Sequence, residues 1–307
     1  MLAAKSEKEN NMPHTNRIAT SVALLLLTVG LVLAGCAPKP TPEVVRETVE
    51  VTRVVEKVVT AAPTTAEHTP TPTSLPTLSI SVGSYDHVLV IGMDESLNSL
   101  VDTLQGAGFT VQVLEGILTP GTVSRYGVIL FCNRVDLGDG EVSLLRNWIR
   151  AGGGALFLHI LWGSAHNPSG QGWRKAANAV LTPVAGIRVD DSGIQDPVNE
   201  AFEGRRFTRQ INAHPATDGV RRIVFDDDDF SVTPINPSDP KVAILVTGEE
   251  DAYNNYYRHK PPIAVAAEAN QGRVMAIGCK AAFAWDINMG DNQLFALRSV
   301  EWLARRR

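Results

Sequence analysis

Residues 152–167 read GGGALFLHILWGSAHN, and they hold most of the groups whose types and spacing suit chemistry. In an α/β enzyme the turn after a central strand is where a nucleophile or a ligand grip sits. The three glycines precede the apolar strand, whereas a phosphate-binding loop needs them after it, leading into a helix N-terminus. Gly152–Gly154 are therefore read as the end of a helix and the turn into the strand. Ser164 and His166 would make a nucleophile and base, but residues two apart on one loop rarely face each other. His159 and His166 with His214 would suit Zn²⁺ only if the three converged, and no spacing brings them together. HPATDGV (214–220) reads instead as a cap on the segment that follows, and His159 as a core or cleft histidine. No metal and no cofactor is assigned.

Further residues carry groups that could do chemistry. FDDDDF (225–230) lacks the alternating oxygens and turn glycine of a Ca²⁺ loop, and four adjacent carboxylates are expected to be a solvated turn. AYNNYYRHKPP (252–262) has the Tyr and Asn content of a binding loop, or of a segment packed on a sheet edge. Cys132 and Cys279 each end an apolar run, and they are read as buried thiols at least as readily as a disulfide. A net charge of −5 gives no nucleic-acid surface.

These groups need elements to position them. HVLVIG (87–92), FTVQVLE (109–115), GVILFC (127–132) and ALFLHI (155–160) read as strands, alternating with helices over 96–108 and 139–154. Strands separated by helices of a dozen residues predict parallel βαβ units in a doubly wound sheet with helices on both faces. Beyond residue 180 the strands shorten, and PIAVAAEA and RVMAIGC, joined by Asn270-Gln271-Gly272, predict a hairpin. DNQLFALRSVEWLARRR supplies a last helix. In such a sheet ligands sit beyond the carboxyl ends of the strands. That rule, with the His-containing stretches, nominates Asp94, Glu95, Asn133, His159, Ser164, His166 and His214 as ligand-binding residues.

The flavodoxin-like start, LLRNWIRAGGGALFL, HPATDGV and GRVMAIGCKAAFAWD…DNQLFALRSVEWL together resemble the class I glutamine amidotransferase-like superfamily. Within it they are most similar to the branch of ThuA-like proteins and of the sheet domain of gliding-motility and intraflagellar-transport proteins. The resemblance implies helices around a mostly parallel sheet and a site at the strands' carboxyl ends. Catalytic amidotransferases place a Cys in a tight strand-to-helix turn among small residues. This chain has His159, Ile160, Leu161 and Trp162 there, with no Cys and no Ser elbow, so the reading leans away from an enzyme.

The N-terminus is read as an address. Arg17 precedes the apolar run IATSVALLLLTVGLVLAG, and Leu33-Ala34-Gly35-Cys36 resembles the lipobox of bacterial lipoproteins. The resemblance implies that residues 1–35 are a signal peptide, starting at Met1 or Met12, and that Cys36 is acylated and anchors the chain in a lipid bilayer. Residues 36–77 read as a Pro/Thr/Val-rich stalk; Val44, Thr48, Val51, Val55 and Val58 form a short heptad seam within it. Similar Val-Glu-Thr stretches follow the lipidated Cys of some bacterial substrate-binding lipoproteins. Residues 78–307 are then one α/β domain.

The expectation is a lipid-anchored protein on the extracytoplasmic side, whose non-catalytic domain binds a small ligand such as a carbohydrate, or a protein partner. One alternative is a ThuA-like or hydrolase-type enzyme using the strand-end histidines. Another is a structural module of an envelope assembly.

Overall fold

The computed structural model describes residues 80–132, 136–159, 168–226 and 229–306. The signal segment, Cys36, the stalk, Asn133, Ser164 and His166 lie outside the described residues.

Seven strands make the main sheet. They are β1 (Ser84–Ile91), β2 (Thr110–Leu114), β3 (Tyr126–Cys132), β4 (Gly154–Leu158), β10 (Val242–Thr247), β11 (Pro262–Ala269) and β12 (Gly272–Ile277). Their spatial order is β10-β11-β12-β4-β3-β1-β2. The five strands from β12 to β2 run parallel; β11 pairs antiparallel with β12, and β10 antiparallel with β11. The hairpin expected from PIAVAAEA and RVMAIGC is β11–β12, and its second strand pairs with β4 in the middle of the sheet. This is a doubly wound α/β fold of the flavodoxin/amidotransferase-like kind, with a C-terminal hairpin.

Period-two alternation sends the side chains of the parallel strands to two apolar layers. Val88, Val90, Val128, Leu130, Leu156, Leu158, Met275 and Ile277 meet helices α1 (Asn98–Gly106) and α4 (Asn292–Leu303) on one face. Leu89, Ile91, Ile129, Phe131, Phe157, Val274 and Ala276 meet α2 (Asp139–Arg150) and α3 (Pro168–Ala185) on the other. All seven residues of β3 are buried, which is why its sequence is continuously apolar. Trp148 of α2 is fully buried, and burying a side chain of that size stabilises by roughly 2–3 kcal/mol.

The glycines of GGGALFL act before the strand, as their place in the sequence predicts. Gly152 leaves α2 at φ +125°, which L side chains disfavour. A Cβ on Gly153 would stand 2.5 Å from the Trp148 ring, so the helix can pack against the start of β4 only if this residue has none.

Two smaller sheets complete the domain: β5 (Ile187–Gly193) with β9 (Phe230–Pro234), and β6 (Glu200–Phe202), β7 (Arg205–Thr208) and β8 (Ile223–Asp226). The loop AYNNYYRHKPP packs on the β5–β9 pair. Asn254 donates to Ser231 Oγ at 2.8 Å, Ser192 Oγ accepts from the Asn255 N–H at 3.0 Å, and Tyr257 and Thr233 share a hydroxyl hydrogen bond of 2.8 Å. Among the described residues no helix is long and apolar enough to cross a membrane.

Candidate functional site

The carboxyl ends of β1, β3, β4 and β12 lie side by side, because the register pairs Ile91 with Phe131, Cys132 with Leu158, and Leu158 with Ile277. Asp94 follows β1, Cys132 ends β3, His159 follows β4, and Lys280 follows β12. Sequence reasoning missed Lys280. Its ammonium pairs with Asp94 Oδ2, and its side chain is 1% exposed against 42% for that of Asp94. The Lys280 N–H donates to His159 O at 2.7 Å, and the His159 N–H to Ile277 O at 3.0 Å, so the two turns are stitched together. A buried ammonium loses most of its hydration, and only a close anion offsets that cost.

Asp94 also caps the 3₁₀ turn Glu95–Leu97, accepting from the Ser96 N–H at 3.1 Å and from the Ser96 hydroxyl. Burial pushes its carboxyl up, but the hydrogen bonds from Lys280 and Ser96 outweigh that and hold it below its ordinary value. Glu95, beside it, is exposed. The Lys280 ammonium also stands 5.1 Å from the ring centre of Trp285, whose surface is 58% exposed. Trp285 is held in place by its neighbour: Asp286 forms an ion pair with Arg205, Nε to Oδ2 2.6 Å, and its N–H donates to Ala281 O at 2.9 Å.

His159 is 1% exposed and boxed by aromatics, with Trp173 edge-on and Phe230 tilted, both at 4.5 Å between ring centres. Neither ring nitrogen has a hydrogen-bond partner among the described residues. Burial, then the charge of Arg174, lowers its pKa to about 3. It is a neutral core imidazole. His214 stands elsewhere: its ring packs at 5.0 Å on Trp302, which also carries the guanidinium of Arg273 from the start of β12. Its Nδ1 accepts from the Ala216 N–H at 3.1 Å, so HPATDGV is a cap, as its sequence predicts. Among the described residues no three His, Cys, Asp or Glu side chains are placed to hold a metal ion.

Both cysteines are free and buried. Burial pushes the Cys132 thiol up to about 12, with Lys280 opposing and Asp94 adding to the shift. Cys279 is raised well above its ordinary value by burial and then by Asp229. Neither thiol is a ready nucleophile.

Of the acidic run, expected as a solvated turn, Asp227 and Asp228 lie outside the described residues, and Asp229 departs from that role. Asp229 is fully buried, accepting from the Asp226 N–H at 2.8 Å, and burial raises its carboxyl well above the usual range. Asp226 meets Arg205 at 2.8 Å. Asp226 and Asp229 thus tie the end of β8 to β7 and to Cys279, a pairing that only tertiary contacts create.

No protein-family model matches the chain, and no curated protein matches it. Solved structures similar to it include a cytoplasmic protein of Salmonella typhimurium LT2, at 12% identity and TM-score 0.46, covering 71% of this chain and 99% of that one. A protein described as ThuA-like from Bacteroides uniformis is 15% identical at TM-score 0.46, with 74% and 95% covered. A cold-adapted β-galactosidase from Rahnella sp. R3 is 14% identical at TM-score 0.44, and the match spans 73% of this chain but 31% of the enzyme. The fold class rests on the sheet order and connections described above.

Proposed function

We propose that the α/β domain is a non-catalytic binding module, and that it takes a small polar ligand of the carbohydrate kind at the carboxyl ends of β1 and β12. The carrying observation is Trp285: an aromatic face 58% exposed, set beside a buried ion pair whose carboxylate partner, Asp94, is half in water. An exposed ring offers a flat apolar surface to the C–H face of a sugar, and a fixed carboxylate accepts from its hydroxyls. The protonated thiols and the buried His159 favour binding over catalysis. Acylated Cys36 and the stalk over 36–77 would display the module on the extracytoplasmic side; the Leu33–Cys36 motif and the apolar run before it support this part.

Calorimetric titration of the full chain with a panel of mono- and oligosaccharides tests the ligand. Saturable binding that Trp285→Ala weakens at least tenfold is expected. If no sugar binds, or if Trp285→Ala binds equally well, the carbohydrate reading is wrong. Metabolic labelling with an alkyne fatty acid tests the anchor, which requires incorporation into the wild type and none into Cys36→Ala.

A protein partner is the second reading. It draws on Val198, Phe202, Tyr253 and Tyr256, all of which leave apolar surface in water.

A further inference from the structure

The opposite end of the sheet holds a polar cleft, of about 400 Å³, where β1, the end of α2, the β11–β12 turn and the residues after α4 meet. Tyr85, Gly152, Glu268, Gln271, Arg273 and Arg305 line it. Two guanidiniums thus share one small cleft with a single carboxylate, that of the exposed Glu268. Arg273 lies 5.1 Å over the Trp302 ring and donates to Trp302 O at 2.6 Å. Arg305 lies 5.4 Å over the Tyr85 ring, and its Nε donates to the Tyr85 hydroxyl at 2.9 Å. A further Arg305 nitrogen donates to Gln271 O. These two contacts use two of the five N–H groups that a guanidinium carries.

The backbone at Arg305 is a second observation. The Arg305 N–H donates to Trp302 O at 3.0 Å, and the Arg306 N–H to Glu301 O at 2.9 Å, closing α4 with paired return bonds. Arg305 sits at the left-handed position of that closure, φ +56°, where glycine is the favoured residue. An arginine stands there, and its side chain lines the cleft. The two cations also act on each other: burial and then the charge of Arg305 depress the Arg273 pKa. An anion between them would relieve that repulsion.

We propose that this cleft is a phosphate-binding site, with the Arg273 and Arg305 guanidiniums as the ligand's principal contacts. Paired guanidinium forks match the oxygens of a phosphate, and the cleft has room for a phosphorylated small molecule or a phospholipid headgroup. The inference stands apart from the carbohydrate reading, since the two sites lie at opposite ends of the strands.

The test uses the full chain in detergent. Melting is followed against potassium phosphate, with potassium chloride at matched ionic strength as the reference. Phosphate should stabilise saturably beyond chloride, and Arg305→Gly should melt cooperatively while binding phosphate at least tenfold more weakly. Arg305→Gln serves if the glycine variant fails to fold. In a second arm, the wild type and the variant are compared on phosphatidylglycerol and phosphatidylcholine vesicles. A preference for phosphatidylglycerol that the variant loses would assign the phosphate to a lipid headgroup. A saturable response to inorganic phosphate with no such difference on vesicles would assign it to a soluble compound. The proposal is overturned if neither phosphate nor phosphatidylglycerol distinguishes the wild type from the variant.

Discussion

Lys280 and Asp94 are 186 residues apart in the chain, yet their side chains meet at the carboxyl end of the sheet. The pair joins the turn after β12 to the turn after β1 across the two strands between them. It is the polar counterpart of the apolar layers, because it fixes how the sheet's two halves end relative to one another.

Removing either partner should have unequal effects. Asp94→Ala leaves a buried ammonium without its anion and should cost about 2 kcal/mol, less than the roughly 3–5 kcal/mol of a fully enclosed pair because water reaches Asp94. Lys280→Met keeps the buried stem's volume and leaves a carboxylate that water can solvate, so its cost should be smaller. Urea unfolding of both variants checks the order. A reversed order would mean that the pair does not govern this end of the sheet.

His159 should make the protein acid-sensitive. Its folded pKa of about 3 lies below the unfolded value near 6.5, so the unfolded chain binds the proton first as pH falls. Stability from this group is therefore whole above about pH 6.5 and declines towards pH 3, by about 2 kcal/mol at pH 5. Unfolding free energies at pH 7 and pH 5 should show that loss in the wild type beyond whatever His159→Leu shows. Equal losses would place a charged or solvated imidazole in the fold.

Asp229 works in the other direction. Its folded pKa is raised, so its contribution is whole below the ordinary carboxylate value and is lost as pH rises through the folded value. Asp229→Asn keeps an oxygen to accept from the Asp226 N–H and carries no charge. It should be more stable than the wild type at neutral pH, and the gap should close in acid. A variant less stable at pH 7 would argue that the buried carboxylate is ionised and matched.

Gly153→Ala tests the contact between α2 and β4. The added methyl would press on the Trp148 ring from 2.5 Å and should cost roughly 1–3 kcal/mol. A neutral result would mean that the helix can back away from the strand without loss.

The sheet was legible in the sequence because its central strands are buried on both faces: YGVILFC and GALFL can be little else. Helix α3 was not read, since Pro168, Gly170, Gly172 and Pro183 hide the buried run of Trp173, Ala177, Val180 and Leu181. The site was legible by position and not by chemistry. The strand-end rule points to the turns that carry Asp94 and His159, but a lysine after a strand reads as surface until its distant partner is known. Burial sorted the rest: Asp229 looked solvated and is enclosed, and of the two readings open for His159, core or cleft, it is core.

The position of β12 has a consequence for how the chain is made. This strand fills the place between β4 and β11, although more than a hundred residues separate it from β4 in the chain. During synthesis the inner edge of β4 therefore stays unpaired until nearly the whole domain exists, and long-range pairing of this kind is slow and exposes strand edges to other chains. A ribosome that stops short of residue 272 would release β1–β4 with a raw apolar edge. The sheet is completed from its middle, last.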